Sequence, residues 1–173
     1  MKTVMLSIIA LTMLCGCAHV FTEKSEQLVD KSVVFNQLKH DPGQFTDRYV
    51  KLGGIIIETR NTKKGTQIEI LQFPLDSNDM PMEEKESGGR FLAVSDKYLD
   101  KVIYKSGGGV ALIGKVTGSK KMLLDEIDYS YPVVSIKEIH MHRKYKEYPD
   151  YYGYPYYPGW GYYGYFGPRL RYR

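Results

Sequence analysis

Residues 48–75 read RYVKLGGIIIETRNTKKGTQIEILQFPL, and the reading of this stretch decides the fold. Its first half is long and β-branched, a composition suited to a pleated, half-buried strand. Gly53 and Gly54 fall inside it, as expected where a strand bends sharply. The polar break NTKKGT then leads to QIEILQFPL, so the two runs form a hairpin with Gly65 in the turn.

Working outward, SNDMPMEEKESGG reads as a polar, acidic loop, and RFLAV as a third strand. SDKYLDKV follows as a helical turn, with Ser95 as its cap and Tyr98, Leu99 and Val102 facing inward. GGGVALIGKVTG makes a fourth strand bracketed by glycines, and YPVVSIKEIHMH a fifth. Upstream of the hairpin a short helix is expected, with Ser32 as N-cap, Val34, Phe35 and Leu38 as apolar positions, and Asp41-Pro42-Gly43 as the stop. The fold class is therefore mostly β. Five bent strands with a helix between the third and fourth match an OB-fold-like Greek-key barrel carrying one or two short helices. A small open β-sandwich of the same strands is the alternative.

The two ends of the chain differ from this middle. Lys2 is followed by an almost uninterrupted apolar run over residues 4–14, a positive n-region and an h-region of secretory type. The run is shorter than the about 20 residues a membrane span needs. It ends in Leu14-Cys15-Gly16-Cys17, which resembles the bacterial lipoprotein box. On that resemblance Leu14, Cys15 and Gly16 are the signal-peptidase recognition residues, and Cys17 is lipidated as the first mature residue. Both cysteines are then processing signals, and the mature domain holds no thiol for disulfide or redox chemistry. Ala18 after the cysteine, where retained inner-membrane lipoproteins carry Asp, implies export to the outer membrane. At the other end lie 11 of the 16 tyrosines, in the last 29 residues, among glycines and prolines. That segment has Leu170 as its single aliphatic and builds no core, so a disordered Tyr/Gly/Pro-rich tail is expected. The expected organisation is thus 1–16 signal peptide, 17–31 lipidated cysteine and tether, 32–144 folded domain, and 145–173 tail.

With 173 residues the chain is long enough for one domain with a core, and its net charge of +4 is too mild to call for nucleic acid. Few motifs carry chemistry. His140 and His142 face the same side of a strand, but two imidazoles without a third ligand make a weak metal site, so no metal or other cofactor is expected. Ser77, Ser87, Ser95 and Ser106 sit in turns or caps, where serine serves the backbone. The carboxylate pairs Asp76/Asp79, Glu83/Glu84 and Asp125/Glu126 read as solvated loop residues. Gly107-Gly108-Gly109 lacks the Lys-Ser/Thr of a phosphate loop and reads as a bend. No nucleophile, base and acid converge, so no catalytic residues are assigned. OB barrels bind oligosaccharides or oligonucleotides over their second and third strands, which makes Lys63, Lys64, Arg90, Lys120 and Lys121 candidate ligand-binding residues. In the tail Trp160, Tyr162 and Tyr163 are candidate contacts, since aromatic side chains give amphipathic contact area at low entropy cost.

The order of motifs carries a family resemblance. A lipoprotein box precedes Asp41-Pro42-Gly43 with Phe45, then Gly53, Gly54 and Ile56; Phe73-Pro74-Leu75-Asp76-Ser77 follows, then Gly89-Arg90-Phe91-Leu92-Ala93 and the Tyr129 to Val134 strand. From Leu14 to about His142 this resembles the Slp family of Gram-negative outer-membrane lipoproteins, named for starvation-inducible lipoprotein. The Pro158 to Gly161 stretch of the tail is similar too. The resemblance implies a lipoprotein with an OB-like domain at the periplasmic face of the outer membrane and a role in starvation or stress. It supplies no catalytic residues. The expected partners are the membrane, through the lipid on Cys17, and an envelope protein, glycan or lipopolysaccharide. A binding module for an envelope glycan or lipid is the alternative reading.

Overall fold

The computed structural model describes residues 20–142. Leu14, Cys15, Gly16 and Cys17 lie outside the described residues, as do the tail and its Trp160, Tyr162 and Tyr163. Within them run α1 (Glu23–Glu26), α2 (Phe35–His40), a 3₁₀ turn (Pro42–Phe45), β1 (Tyr49–Thr62), β2 (Gly65–Phe73), β3 (Gly89–Ser95), β4 (Gly109–Leu124) and β5 (Ile127–His142). The fold is mostly β, a five-stranded sheet with two short α-helices.

The strands pair in the order β1-β2-β3-β5-β4, and β4 returns to β1, so the hydrogen bonding closes into a ring. All pairs are antiparallel except β3 with β5. Every strand has two partners, so no edge is left over as an open sandwich would leave one. β1 is what makes this closure work. Its first half pairs with β4 and its second half with β2, and Gly53, Gly54 and Ile55 pair with both. A bulge at Ile56/Glu58 follows directly and adds bend. Gly54 also lies so close to β2 that a side-chain carbon there would strike the Leu71 carbonyl.

Period-two alternation fills the interior. On β2, Thr66, Ile68, Ile70 and Gln72 are buried while Gln67, Glu69, Leu71 and Phe73 are less so. Ile56, Ile68, Ile70, Phe91, Ala93, Val110, Leu112, Val116 and Val134 meet in one core, closed by Phe35, Leu38 and Phe45. Each fully buried aliphatic or aromatic side chain contributes about 1.5–3 kcal/mol through removal from water.

Four local details depart from the sequence reading. Helix α2 starts two residues later than expected: Val34 is its N-cap and is exposed, while the Ser32 hydroxyl bonds Asp30 instead. Residues 96–108 form no helix. Leu99 and Tyr104 turn into the core, but Tyr98 and Val102 point to solvent, because Asp100 folds the chain into a tight turn with the Val102 N–H on its carboxylate at 2.8 Å. β4 and β5 run past the ring as a long hairpin, turning at Asp125 in the left-handed conformation (φ 54°) that Asp tolerates.

The fourth departure is the largest. Residues 20–31, expected as a loose tether, are folded onto the outer face of β1, β4 and β5. Phe21 is 2% exposed and seats on Ala111 and Ile113. Val29 bridges to Tyr49, and the Asp30 N–H donates to the Tyr49 carbonyl at 2.9 Å.

Candidate functional site

Two polar constellations stand out on the outside of the ring. The first gathers part of the basic set. The two-residue turn of the β1–β2 hairpin is Lys63-Lys64, closed by Thr62 opposite Gly65. The start of β2, the end of β3 and the β4–β5 hairpin lie beside it and enclose a groove of about 600 Å³ lined by Lys63, Lys64, Gln67, Ser95, Lys120 and Ser135. Lys120 Nζ donates to Gln67 Oε1 at 3.3 Å, which holds its charge at the groove. Asp96 lines the groove too.

Arg90 and Lys121 do not join them. Arg90 is held by Glu69 at 2.7 Å, both side chains being mostly covered. That hydrogen bond raises the Arg90 pKa further above its ordinary value. Glu69 also accepts from the Tyr131 hydroxyl at 3.2 Å, and Tyr131 is buried. Burial pushes the Tyr131 phenol up, and the Glu69 charge adds to the shift. The Tyr129 hydroxyl accepts the Arg90 N–H at 2.9 Å, and the Tyr129 ring meets Tyr131 edge-on at 4.6 Å. Arg90 is therefore a fastening inside a polar cluster. Lys121 is exposed, but as the neighbour of Lys120 on a strand it faces the opposite side. Three of the five basic residues converge.

The second constellation fastens residues 20–31 and was not visible in the sequence. Glu138 on β5 takes the Thr22 N–H at 3.1 Å and the Thr22 hydroxyl at 2.9 Å, and pairs with His140 Nε2 at 3.1 Å. Burial alone would raise the Glu138 pKa, but hydrogen bonds from Ser25, His140 and Thr22 outweigh it and bring it down to about 2. The His140 ring meets Phe21 edge-on at 5.0 Å. Lys51 on β1 bridges Glu26 at 2.7 Å and Asp79 at 2.8 Å. Burial lowers the Lys51 pKa, and the two carboxylates overcome that and raise it. The only local hint of this clasp is an aromatic, Phe21, inside a polar stretch; its partner Glu138 lies 116 residues from Thr22.

The other sequence candidates serve the backbone. Asp76 Oδ1 accepts the N–H groups of Asn78 and Met80, both at 2.8 Å, and Ser87 and Ser95 accept from Gly89 and Lys97. Asp125 and Glu126 form the exposed hairpin turn. The Gly107 N–H and the Gly108 carbonyl bond Ile56, so the glycine run is a bend fixed to β1. His140 is engaged by Glu138, and no three His, Cys, Asp or Glu side chains are grouped to hold an ion among the described residues.

Outer membrane protein Slp of Escherichia coli K12 is 28% identical over 75% of this chain and 69% of its own length. An uncharacterized protein of Haemophilus influenzae is 33% identical over 49% of this chain and 46% of its own. The uncharacterized lipoprotein YeaY of E. coli K12 is 28% identical over 55% and 49%. Among solved structures, Schizosaccharomyces pombe Pot1pC bound to ssDNA aligns with a TM-score of 0.32 at 9% identity, over 59% of this chain and 84% of that one, too distant to carry an argument. Residues 14–168 match the sequence model of the outer membrane lipoprotein Slp family. The chain belongs to that family, and its place is the outer membrane.

Proposed function

We propose that this protein is a non-enzymatic lipoprotein, fixed by a lipid on Cys17 to the periplasmic face of the outer membrane, whose OB-like barrel contacts envelope components and supports envelope integrity under stress. Residues 1–16 are the signal peptide, 32–144 the barrel domain, and 145–173 a tail whose Trp160, Tyr162 and Tyr163 add contacts. The strand order β1-β2-β3-β5-β4 with a closing β1–β4 pair is the observation that favours an OB-like barrel. Family membership favours the lipid at Cys17, since the matched region begins at Leu14, the first residue of the box. Multiple acyl chains anchor firmly where one is marginal, at about 0.8 kcal/mol per buried methylene. Replacing Cys17 by Ser should remove the protein from the outer-membrane fraction. Retention of Cys17→Ser on the outer membrane would overturn the proposal.

The groove favours one further reading, a binding site for an anionic envelope glycan or lipopolysaccharide. Lys63, Lys64 and Lys120 line it together against the single carboxylate of Asp96, and an excess of one sign of charge concentrates ligands of the other. Lys63→Glu with Lys120→Glu should weaken retention on immobilised lipopolysaccharide, while Lys121→Glu should not. Equal effects of the two variants would exclude the groove.

A further inference from the structure

We infer that the loop joining β3 to β4 rests on the phospholipid surface that carries the N-terminal lipid, with Tyr98, Val102 and Ile103 as its contact residues. The inference rests on the anchoring at Cys17 proposed above.

The loop, residues 96–108, is held in place rather than free. Thr59 Oγ1 donates to the Tyr104 carbonyl at 2.7 Å, the Leu99 N–H donates to Thr66 Oγ1 at 2.8 Å, and the Gly107 N–H donates to the Ile56 carbonyl at 2.8 Å. Leu99 and Tyr104 plug the core. Yet Tyr98 is 68% exposed, Val102 81% and Ile103 59%, so a fixed loop presents three large apolar side chains to the outside. Exposed Lys97, Lys101 and Lys105 alternate with them. This is the pattern of an interfacial segment, in which aliphatic and aromatic groups reach the acyl boundary while lysines stretch to the phosphates. Of the loop's two carboxylates, Asp100 is occupied by the Val102 N–H.

Chain length puts the lipid at the same end. Phe21 sits over Ala111 and Ile113, beside His140, which pairs with Ala111. Thr22 bonds Glu138, opposite Ile113, and Val29 reaches Tyr49, opposite Lys115. From Phe21 onward the chain thus crosses from β5 over β4 to β1, and Phe21 itself sits two to four residues along β4 from Gly109, where the loop enters the strand. Cys17 precedes Phe21 by four residues, at most about 14 Å of chain. The clasp therefore leaves no long tether: the lipid, and hence the bilayer surface, is kept beside the loop. Three carboxylates at this end are engaged: Asp76 by the Asn78 and Met80 amides, Asp79 by Lys51, and Glu58, which also feels the Lys101 charge, by Arg60.

The test uses the full lipoprotein in vesicles of phosphatidylethanolamine and phosphatidylglycerol containing a lipid with a nitroxide on its acyl chain. With Cys17 acylated, Val102→Cys supplies a single reactive thiol for an environment-sensitive fluorophore. Leu123→Cys, 70% exposed near the far tip of the β4–β5 hairpin, is the reference position. The expected result is flotation of both proteins with the vesicles, and quenching several-fold stronger at position 102 than at 123. Flotation with equal or absent quenching at 102 overturns the loop contact and leaves the anchor standing. Failure to float removes the anchor reading and this inference with it.

Discussion

Replacing Phe21 by Ala should release residues 20–31 from the sheet without unfolding it. Phe21 is 2% exposed, so truncating it forfeits about 2–3 kcal/mol of apolar burial. The edge-on contact with His140 at 5.0 Å adds roughly 0.5–1 kcal/mol. Together these come to about 3 kcal/mol, a factor of about a hundred in the population of the opened segment. The segment precedes the first strand and leaves the main core intact, so the loss appears as local opening rather than as global unfolding. Limited trypsin digestion reads this directly, because cleavage after Lys24 requires the opened segment and tracks its population when reclosing is fast. Cleavage there should rise about a hundredfold, while the urea midpoint of the sheet shifts far less. A cleavage rate within about twofold of the native protein, less than about 0.5 kcal/mol, would refute the clasp.

The clasp should also respond to acid. The Glu138 pKa is about 2 in the folded protein against an ordinary 4.5, so its contribution is complete above pH 4.5 and lost as pH falls through about 2. Hydrogen exchange of residues 20–31, corrected for intrinsic rates, should lose protection over that window; in Glu138→Gln, which removes the charged acceptor, the acid-dependent loss should be smaller, with Asp30, held below its ordinary value by hydrogen bonds from Ser32 and Arg48, left to titrate. Inside the ring, Phe91 is fully buried, and Phe91→Ala should cost about 3–5 kcal/mol in urea unfolding; a loss under about 1 kcal/mol would contradict the packing described. Gly65 closes the β1–β2 turn at φ 119°, and an added side-chain carbon would collide with the Ser95 carbonyl. Gly65→Ala should therefore destabilise by roughly 1–3 kcal/mol in the same assay, and an unchanged midpoint would contradict the strained turn.

Much of the ring was legible in local pattern. Residues 48–75 show both runs and the turn, because β-branched alternation and a Lys-Lys-Gly break are signals within a few residues of one another. KKMLLDEID gives no strand signal, since it lacks alternation and holds its shape through cross-strand pairing with residues 127–131. The apolar spacing of SDKYLDKV fits a helix, but Asp100 accepting the Val102 N–H favours a turn. The basic set rests on charge and on the expected binding face of an OB barrel. Charge does not reveal that Glu69 on β2 engages Arg90, nor that Lys121 faces away from Lys120. The clasp was the least visible feature, since Phe21, Glu138 and His140 become neighbours only after the ring closes.

The lipid on Cys17 is the central claim, and the intact mass of protein extracted from outer membranes tests it most directly. A chain beginning at Cys17 and carrying a diacylglyceryl thioether and an N-acyl group is the predicted result. A chain processed elsewhere, with an unmodified Cys17 thiol, would contradict the account.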